Sequence, residues 1–250
     1  MGFLIALQFL TRIPVTINTT LEENVLARSM IYYPLVGLFI GGLTALVQLL
    51  FSFVFSAPVA DLAAIVFLVS ITGNLHLDGL MDTADGLLSG KPREEALRIM
   101  RDSRVGSHGV IVGFLILLAK YVLLTQIPSS GKPLALLLMP LFGRWSLVYA
   151  AALFPYLRKG QGAGSFTQNV GKRELLLASA ITFGVYALVP ILLLPPTKNL
   201  LLPPAILAGT AAFGSYIYKK LGGITGDTMG AMNEFTEVLF LLISFPLLFK

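Results

Sequence analysis

The chain has 250 residues, 56% of them hydrophobic and 12% charged, where soluble domains carry roughly 25% charge. A mean hydropathy of +0.82 excludes a soluble fold, which lacks the interior to hide so much apolar surface. With no cysteine and two histidines, disulfides, thiolate metal sites and a histidine-built zinc site are also excluded, and the net charge of +5 reads as basic loops at a membrane, not as a nucleic-acid surface.

The expected fold is all-α, a polytopic transmembrane helical bundle of about six to eight segments forming one domain over residues 1–250. Residues 3–13 are apolar but too short to span, and are expected to lie in the interface or to pack as a half-helix. They lack the basic start and small-residue cleavage site of a leader. Seven longer apolar segments follow, near 31–55, 60–76, 108–127, 134–155, 174–194, 201–219 and 235–250. Pro34, Pro140, Pro155, Pro190, Pro195-Pro196 and Pro203-Pro204 mark ends and kinks.

Basic residues sort the loops. Lys91, Arg93, Arg98, Arg101 and Arg104 follow the second segment, Arg158, Lys159, Lys172 and Arg173 the fourth, and Lys219 and Lys220 the sixth. The alternate loops carry Lys132 and Lys198. This asymmetry predicts a cytoplasmic N-terminus with the basic loops on the same side. The acidic clusters are expected to share that side.

The most informative run is His76-Leu77-Asp78-Gly79-Leu80-Met81-Asp82-Thr83-Ala84-Asp85-Gly86, directly after an apolar segment. Spacings of four and three residues put Asp78, Asp82 and Asp85 on one helix face. Three like charges at a bilayer boundary repel one another and resist desolvation, so a cation is expected among them. Ligands that are all oxygen favour Mg2+ or a similar hard ion. Beyond them a short amphipathic helix is expected to start near Pro92. Arg101 and Arg104 beside the acids suit a substrate rich in phosphate oxygens, against the alternative of a solvated loop that only sets topology.

A second constellation runs from Lys219-Lys220-Leu221-Gly222-Gly223 through Thr225-Gly226-Asp227-Thr228 to Asn233-Glu234-Phe235-Thr236-Glu237. Its glycines permit tight turns and close approach to a ligand. Asp227, Glu234 and Glu237 share a helix face, with Asp227 a further metal-ligand candidate and Glu234 or Glu237 a ligand or base. The alternative is a glycine-rich packing seam with a polar cap. A third constellation is Arg144-Trp145 within a span and Tyr156-Leu157-Arg158-Lys159-Gly160-Gln161-Gly162 at its end. Arg144 near mid-span needs a partner or a wet cavity, and Lys120 is a weaker case because lysine snorkels. His76 is a candidate for proton transfer or substrate contact, or a structural histidine.

Taken together, HLDGLMDTADG, IMRDSRVGSHGV, RW with FPY and LRKGQG, and KLGGITGDTMGAMNE, preceded by FLTRIP and ARSMIYYPLVGLFIGG, resemble the cobalamin synthase family (adenosylcobinamide-GDP ribazoletransferases) over nearly the whole chain. The resemblance implies an integral membrane, magnesium-dependent transferase. It would join adenosylcobinamide-GDP to α-ribazole or its 5′-phosphate, releasing GMP and forming adenosylcobalamin or its 5′-phosphate. The implied setting is a prokaryotic cytoplasmic membrane, multi-pass, with the site facing the cytoplasm, and a homo-oligomer is compatible with it. The expected assignments are Asp78, Asp82, Asp85 and Asp227 as metal ligands and Asp102, Glu234 or Glu237 as catalytic base. His76, Arg101, Arg104, Arg144, Lys220 and Asn233 are expected to contact substrate. His108 stands where the family pattern favours an aromatic residue and is given no role.

Two rival readings are weighed. Asp82-Thr83-Ala84-Asp85-Gly86 has a looser likeness to the opening of the CDP-alcohol phosphotransferase motif. The Ala-Arg pair expected next is absent, Asp102 falls one position off the third aspartate, and nothing matches the fourth. A cation-coupled transporter would also carry intramembrane charges and glycine-broken helices, but would concentrate its acids near the midplane.

Overall fold

A computed structural model of the chain describes residues 1–17, 22–158, 164–193 and 199–249. Lys159, Gly160, Gln161 and Gly162, Pro195-Pro196 and Lys198 lie outside the described residues. The helices are α1 (Gly2–Leu10), α2 (Glu23–Ser29), α3 (Tyr33–Ser52), α4 (Ala57–Ile71), α5 (Leu75–Leu88), α6 (Arg93–Ile99), α7 (Ser107–Gln126), α8 (Lys132–Leu153), α9 (Lys172–Leu193), α10 (Leu202–Leu221) and α11 (Gly226–Ser244), with short 3-10 turns at Met30–Tyr32, Ser165–Asn169 and Asn199–Leu201. Among the described residues the only β pairing is an isolated parallel bridge between Tyr156 and Ile224.

Each expected apolar segment coincides with a helix, and Pro92 caps the short α6. The span count is lower than expected. Among the described residues four helical stretches are long and apolar enough to cross a membrane, Glu23–Ser52, Ser107–Gln126, Lys132–Leu153 and Gly226–Leu248. The pair α4 and α5 makes five if taken as one broken span. Of the other segments, α10 is 20 residues long but closes on Lys219 and Lys220, and polar ends shorten what the hydrocarbon can cover. The N-terminal stretch forms α1, whose Ile5, Ala6, Leu7 and Leu10 are buried against the bundle.

The core is built around α8, buried along nearly all of its length despite Pro140 inside it. It packs between α3, α11 and α9. At the periphery α7 leaves Val110, Ile111, Phe114, Leu115, Leu118 and Val122 exposed, an apolar stripe that suits lipid and not water.

The break between α4 and α5 positions the site. The two helices meet at 85° through Gly73 (φ 61°) and Asn74 (φ 66°). Both are left-handed, a conformation that glycine adopts freely and asparagine tolerates. If α4 stands across the bilayer, α5 lies close to its plane, outside the uninterrupted spans.

Candidate active site

The crossing of α5 and α11 brings the acidic residues together. A Cβ on Gly79 would stand 2.8 Å from the carbonyl oxygen of Asp227, and one on Gly230 would stand 2.9 Å from that of His76. The helices therefore touch backbone to backbone, a spacing that only glycine permits. Asp78, exposed, and Asp82 and Asp227, half-buried, meet at this end of the bundle. Asp227 sits in the first turn of α11, where the helix dipole favours a carboxylate. Thr225 and Thr228 close a reciprocal capping box below it.

The electrostatics of the cluster follow from the crowding. Burial, then repulsion from Asp227, Asp78 and Asp85, pushes the Asp82 carboxyl up to about 6, with Arg158 opposing. Arg158 reaches the cluster because the strand-like exit of α8 is stitched to the α10–α11 loop. Leu157 N donates to Ile224 O at 2.9 Å and Ile224 N to Pro155 O at 2.9 Å. Arg158 Nη2 then lies 2.8 Å from Asp227 Oδ2. Nε of Arg158 is buried without a partner. A guanidinium with unused donors beside a carboxylate cluster is disposed to take a phosphate oxygen.

Asp85 is placed differently from its neighbours. It is buried and accepts from Gly106 N at 2.7 Å and Gly109 N at 2.8 Å. The first turn of α7 thereby neutralises it, and both its oxygens are engaged in holding the 89–106 loop to α5.

Glu234, Glu237, Asn233 and Arg144 are brought together, but with one another. Lys120 Nζ lies 2.7 Å from Glu234 Oε2 and 2.5 Å from Glu237 Oε2, Arg144 pairs with Glu237, and Asn233 donates to both glutamates. All five side chains are buried. At 1.5 Å per residue along α11, Glu234 and Glu237 lie about 10 and 15 Å beyond Asp227. The expectation that the acidic clusters share one side thus holds for Asp78, Asp82 and Asp227 and fails for these two. The physical reason is that two cations on facing helices compensate them inside the bundle.

The remaining expected contacts are peripheral. Asp102 lies in an ion pair with Arg104, Nη2 to Oδ2 2.6 Å, and this bond, with a second from the Arg104 backbone, holds its carboxyl down at about 2. Each of the three base candidates therefore has a cationic partner. Arg101 is exposed, within electrostatic reach of Tyr156. Lys220 is exposed with its ammonium 6.0 Å above the Tyr216 ring, a cation–π distance.

Two arrangements escaped the sequence reading. Arg158 stands in the third constellation of the sequence without an assigned role, although Tyr156 and the glycines before Thr225 are the signal for its docking. At the opposite end of the bundle Gln48 Nε2 donates to Asp61 Oδ1 at 3.1 Å and Lys132 pairs with Asp61, all buried. No local spacing links those three residues.

Beside the acids lies a cavity of about 200 Å³ whose wall includes His76, Asp78, Asp227, Arg158 and Tyr156. His76 is buried, its Nδ1 has no partner among the described residues, and it lies within electrostatic reach of Arg144 and Lys120. It thus stands between the surface cluster and the buried one. Such a site offers negative charge for a cation, donors for an anion, and a small adjoining cavity.

No solved structure matches this chain. Among curated proteins, an adenosylcobinamide-GDP ribazoletransferase of Caldanaerobacter subterraneus subsp. tengcongensis is 38% identical over 241 residues, 95% of each chain. That of Acetivibrio thermocellus is 38% identical over 248 residues, 99% of this chain and 97% of its own. That of Clostridium acetobutylicum is 32% identical over 247 residues, 98% and 96%. Residues 2–245 match the family described as cobalamin-5-phosphate synthase, and the chain belongs to that family.

Proposed function

We propose that this protein is an adenosylcobinamide-GDP ribazoletransferase, joining adenosylcobinamide-GDP to α-ribazole or its 5′-phosphate and releasing GMP. The observation that carries this reading is the convergence of Asp78, Asp82 and Asp227 with the underused Arg158 at the mouth of a small cavity. In the reaction a ribose hydroxyl oxygen bonds to the phosphorus on the cobinamide side. The P–O–P bridge breaks, and GMP departs with the bridging oxygen. Such phosphoryl transfer is limited by charge and alignment more than by covalent help from the protein.

Magnesium is the cofactor we assign, and the donor chemistry fits it. Among the described residues no three His, Asp or Glu side chains already close on one point. Magnesium, however, keeps several waters and takes one or two carboxylates along with substrate phosphates. The fit is therefore to an ion that arrives with the pyrophosphate. Asp78, Asp82 and Asp227 would hold it, and it would neutralise the phosphate charge. Arg158 contributes spare guanidinium donors to a phosphate oxygen, and Asp85 fixes α5 against α7.

The site is proposed to face the cytoplasm of a prokaryote. Arg93, Arg98, Arg101, Arg104, Arg158, Lys219 and Lys220 all lie on the loops and helix ends around it, whereas Lys132 marks the far end, an asymmetry that orients the chain. The reading is tested with detergent-solubilised protein given adenosylcobinamide-GDP and α-ribazole. GMP should appear with magnesium and not after chelation. CMP released from CDP-diacylglycerol would instead make the protein a CDP-alcohol phosphotransferase, and liposome counterflow without product would make it a transporter.

A further inference from the structure

The cavity beside the aspartates has a mixed lining, which includes the polar His76, Asp78, Asp227 and Arg158 and the rings of Phe9, Tyr33 and Phe166. The three rings make one cluster. Phe9 stacks on Tyr33 with centroids 6.2 Å apart at 18°, and meets Phe166 edge-on at 5.3 Å and 87°. They come from α1, α3 and the Ser165–Asn169 turn, three separate parts of the chain. At about 200 Å³ the space is smaller than the roughly 300–1,000 Å³ of pockets that take drug-sized ligands. It holds a single flat base, and neither a corrinoid nor a whole nucleotide fits.

We infer that this cavity is the subsite for the base of the acceptor nucleoside, a bicyclic aromatic of low polarity. The inference rests on the transferase reading above. Both substrates bring a base, guanine on the donor and dimethylbenzimidazole on the ribazole, and the wall discriminates between them. Guanine has donors and acceptors along both edges, and each would need a partner once buried. Of the three rings only Tyr33 carries a polar group, its hydroxyl, which is too few partners for those edges. Dimethylbenzimidazole presents two methyl groups and one free ring nitrogen, which accepts a hydrogen bond. His76 is 4% exposed, and its Nδ1 is buried without a partner, as is Nε of Arg158 in the same lining. This polar side of the cavity can supply the one donor that the base can use. The ribose then emerges beside Asp78 and Asp227, next to the phosphorus it attacks. The substrates are thus separated, the acceptor base against the ring cluster and the donor pyrophosphate over the aspartates.

The test measures KM for each substrate separately. Phe166→Ala should raise KM for α-ribazole about tenfold or more and leave KM for adenosylcobinamide-GDP within about twofold, the scale of one lost base–ring contact. The preference for the dimethyl riboside over unsubstituted benzimidazole riboside should shrink with it. A rise confined to the donor's KM would put guanine in the cavity and overturn the inference, as would unchanged values for both. If Phe166→Ala does not fold, Phe166→Leu and Phe9→Leu take its place. If the wild-type protein makes no GMP, the transferase reading fails on its own. Equilibrium dialysis with α-ribazole then decides the subsite: binding that Phe166→Leu weakens supports it, and no wild-type binding overturns it.

Discussion

Arg158 at the exit of α8 lies 2.8 Å from Asp227 at the start of α11, so a cation of the protein already occupies one side of the carboxylate that we assign to magnesium. The two compete for that carboxylate. Arg158→Ala should lower kcat/KM for adenosylcobinamide-GDP about 10²-fold through loss of a phosphate contact. At the same time the magnesium concentration for half-maximal rate should fall, because Asp227 is released. A titration of rate against magnesium separates the two effects. A rise in the magnesium requirement would show that Arg158 helps to build the metal site.

Asp82 and Asp85 belong to one motif, and the structure divides their work. Asp82 is crowded by three other carboxylates, whereas Asp85 is satisfied by two backbone N–H groups of α7. Asp82→Asn should abolish GMP release while leaving the protein folded. It should also lose the thermal stabilisation that magnesium together with adenosylcobinamide-GDP gives the wild type, since a ligand that binds only the folded state raises the melting temperature. Asp85→Ala should keep a magnesium-dependent shift from a lower starting point. Its unpaired amides cost about 1–3 kcal/mol, and hydrogen exchange at Gly106 and Gly109 should rise. Equal loss of the magnesium shift in both variants would return Asp85 to the ligand set.

The buried group of Lys120, Arg144, Glu234 and Glu237 is balanced at two charges of each sign. Lys120→Met leaves an excess carboxylate inside the bundle and should destabilise the protein by about 3–5 kcal/mol. Adding Glu234→Gln should recover much of that loss, because the pair is then removed together. Melting temperatures of the single and double variants in detergent are the measurement. If the single variant melts like the wild type, one glutamate is already protonated and the balance drawn above is wrong.

What was legible in the sequence was what local spacing encodes. Asp78 and Asp82 are neighbours on a helix face by their spacing alone, and Gly79 beside them carried the close crossing with α11. Arg144 announced its need for a partner by lying mid-span. The partner was not legible, because Glu237 and Lys120 reach it from other helices and no sequence period relates them. Glu234 and Glu237 shared a face with Asp227 and were therefore grouped with it. A shared face is a stripe along an axis, however, and ten residues of rise carry its far end from the site into the core. Asp85 shows the converse: its spacing matches its neighbours, but Gly106 and Gly109, distant in sequence, decide what it does.

Asp102 tests how far the loop between α6 and α7 enters the chemistry. Arg104, bonded to it through side chain and backbone, holds its carboxyl at about 2, below the ordinary 3.8, with Arg98 adding to the effect. Because the folded value is depressed, the Asp102–Arg104 contact is fully present above pH 3.8 and is lost as pH falls through about 2. Between pH 5 and 8 the residue therefore carries constant charge, and a carboxylate that weak is a poor proton acceptor near neutrality. Asp102→Asn should leave the acid limb of the kcat/KM profile where it stands in the wild type. Any change should be a uniform loss at all pH values, from a less ordered Arg104. A shifted acid limb in that variant would mean that Asp102 leaves Arg104 when substrate binds and takes the hydroxyl proton itself.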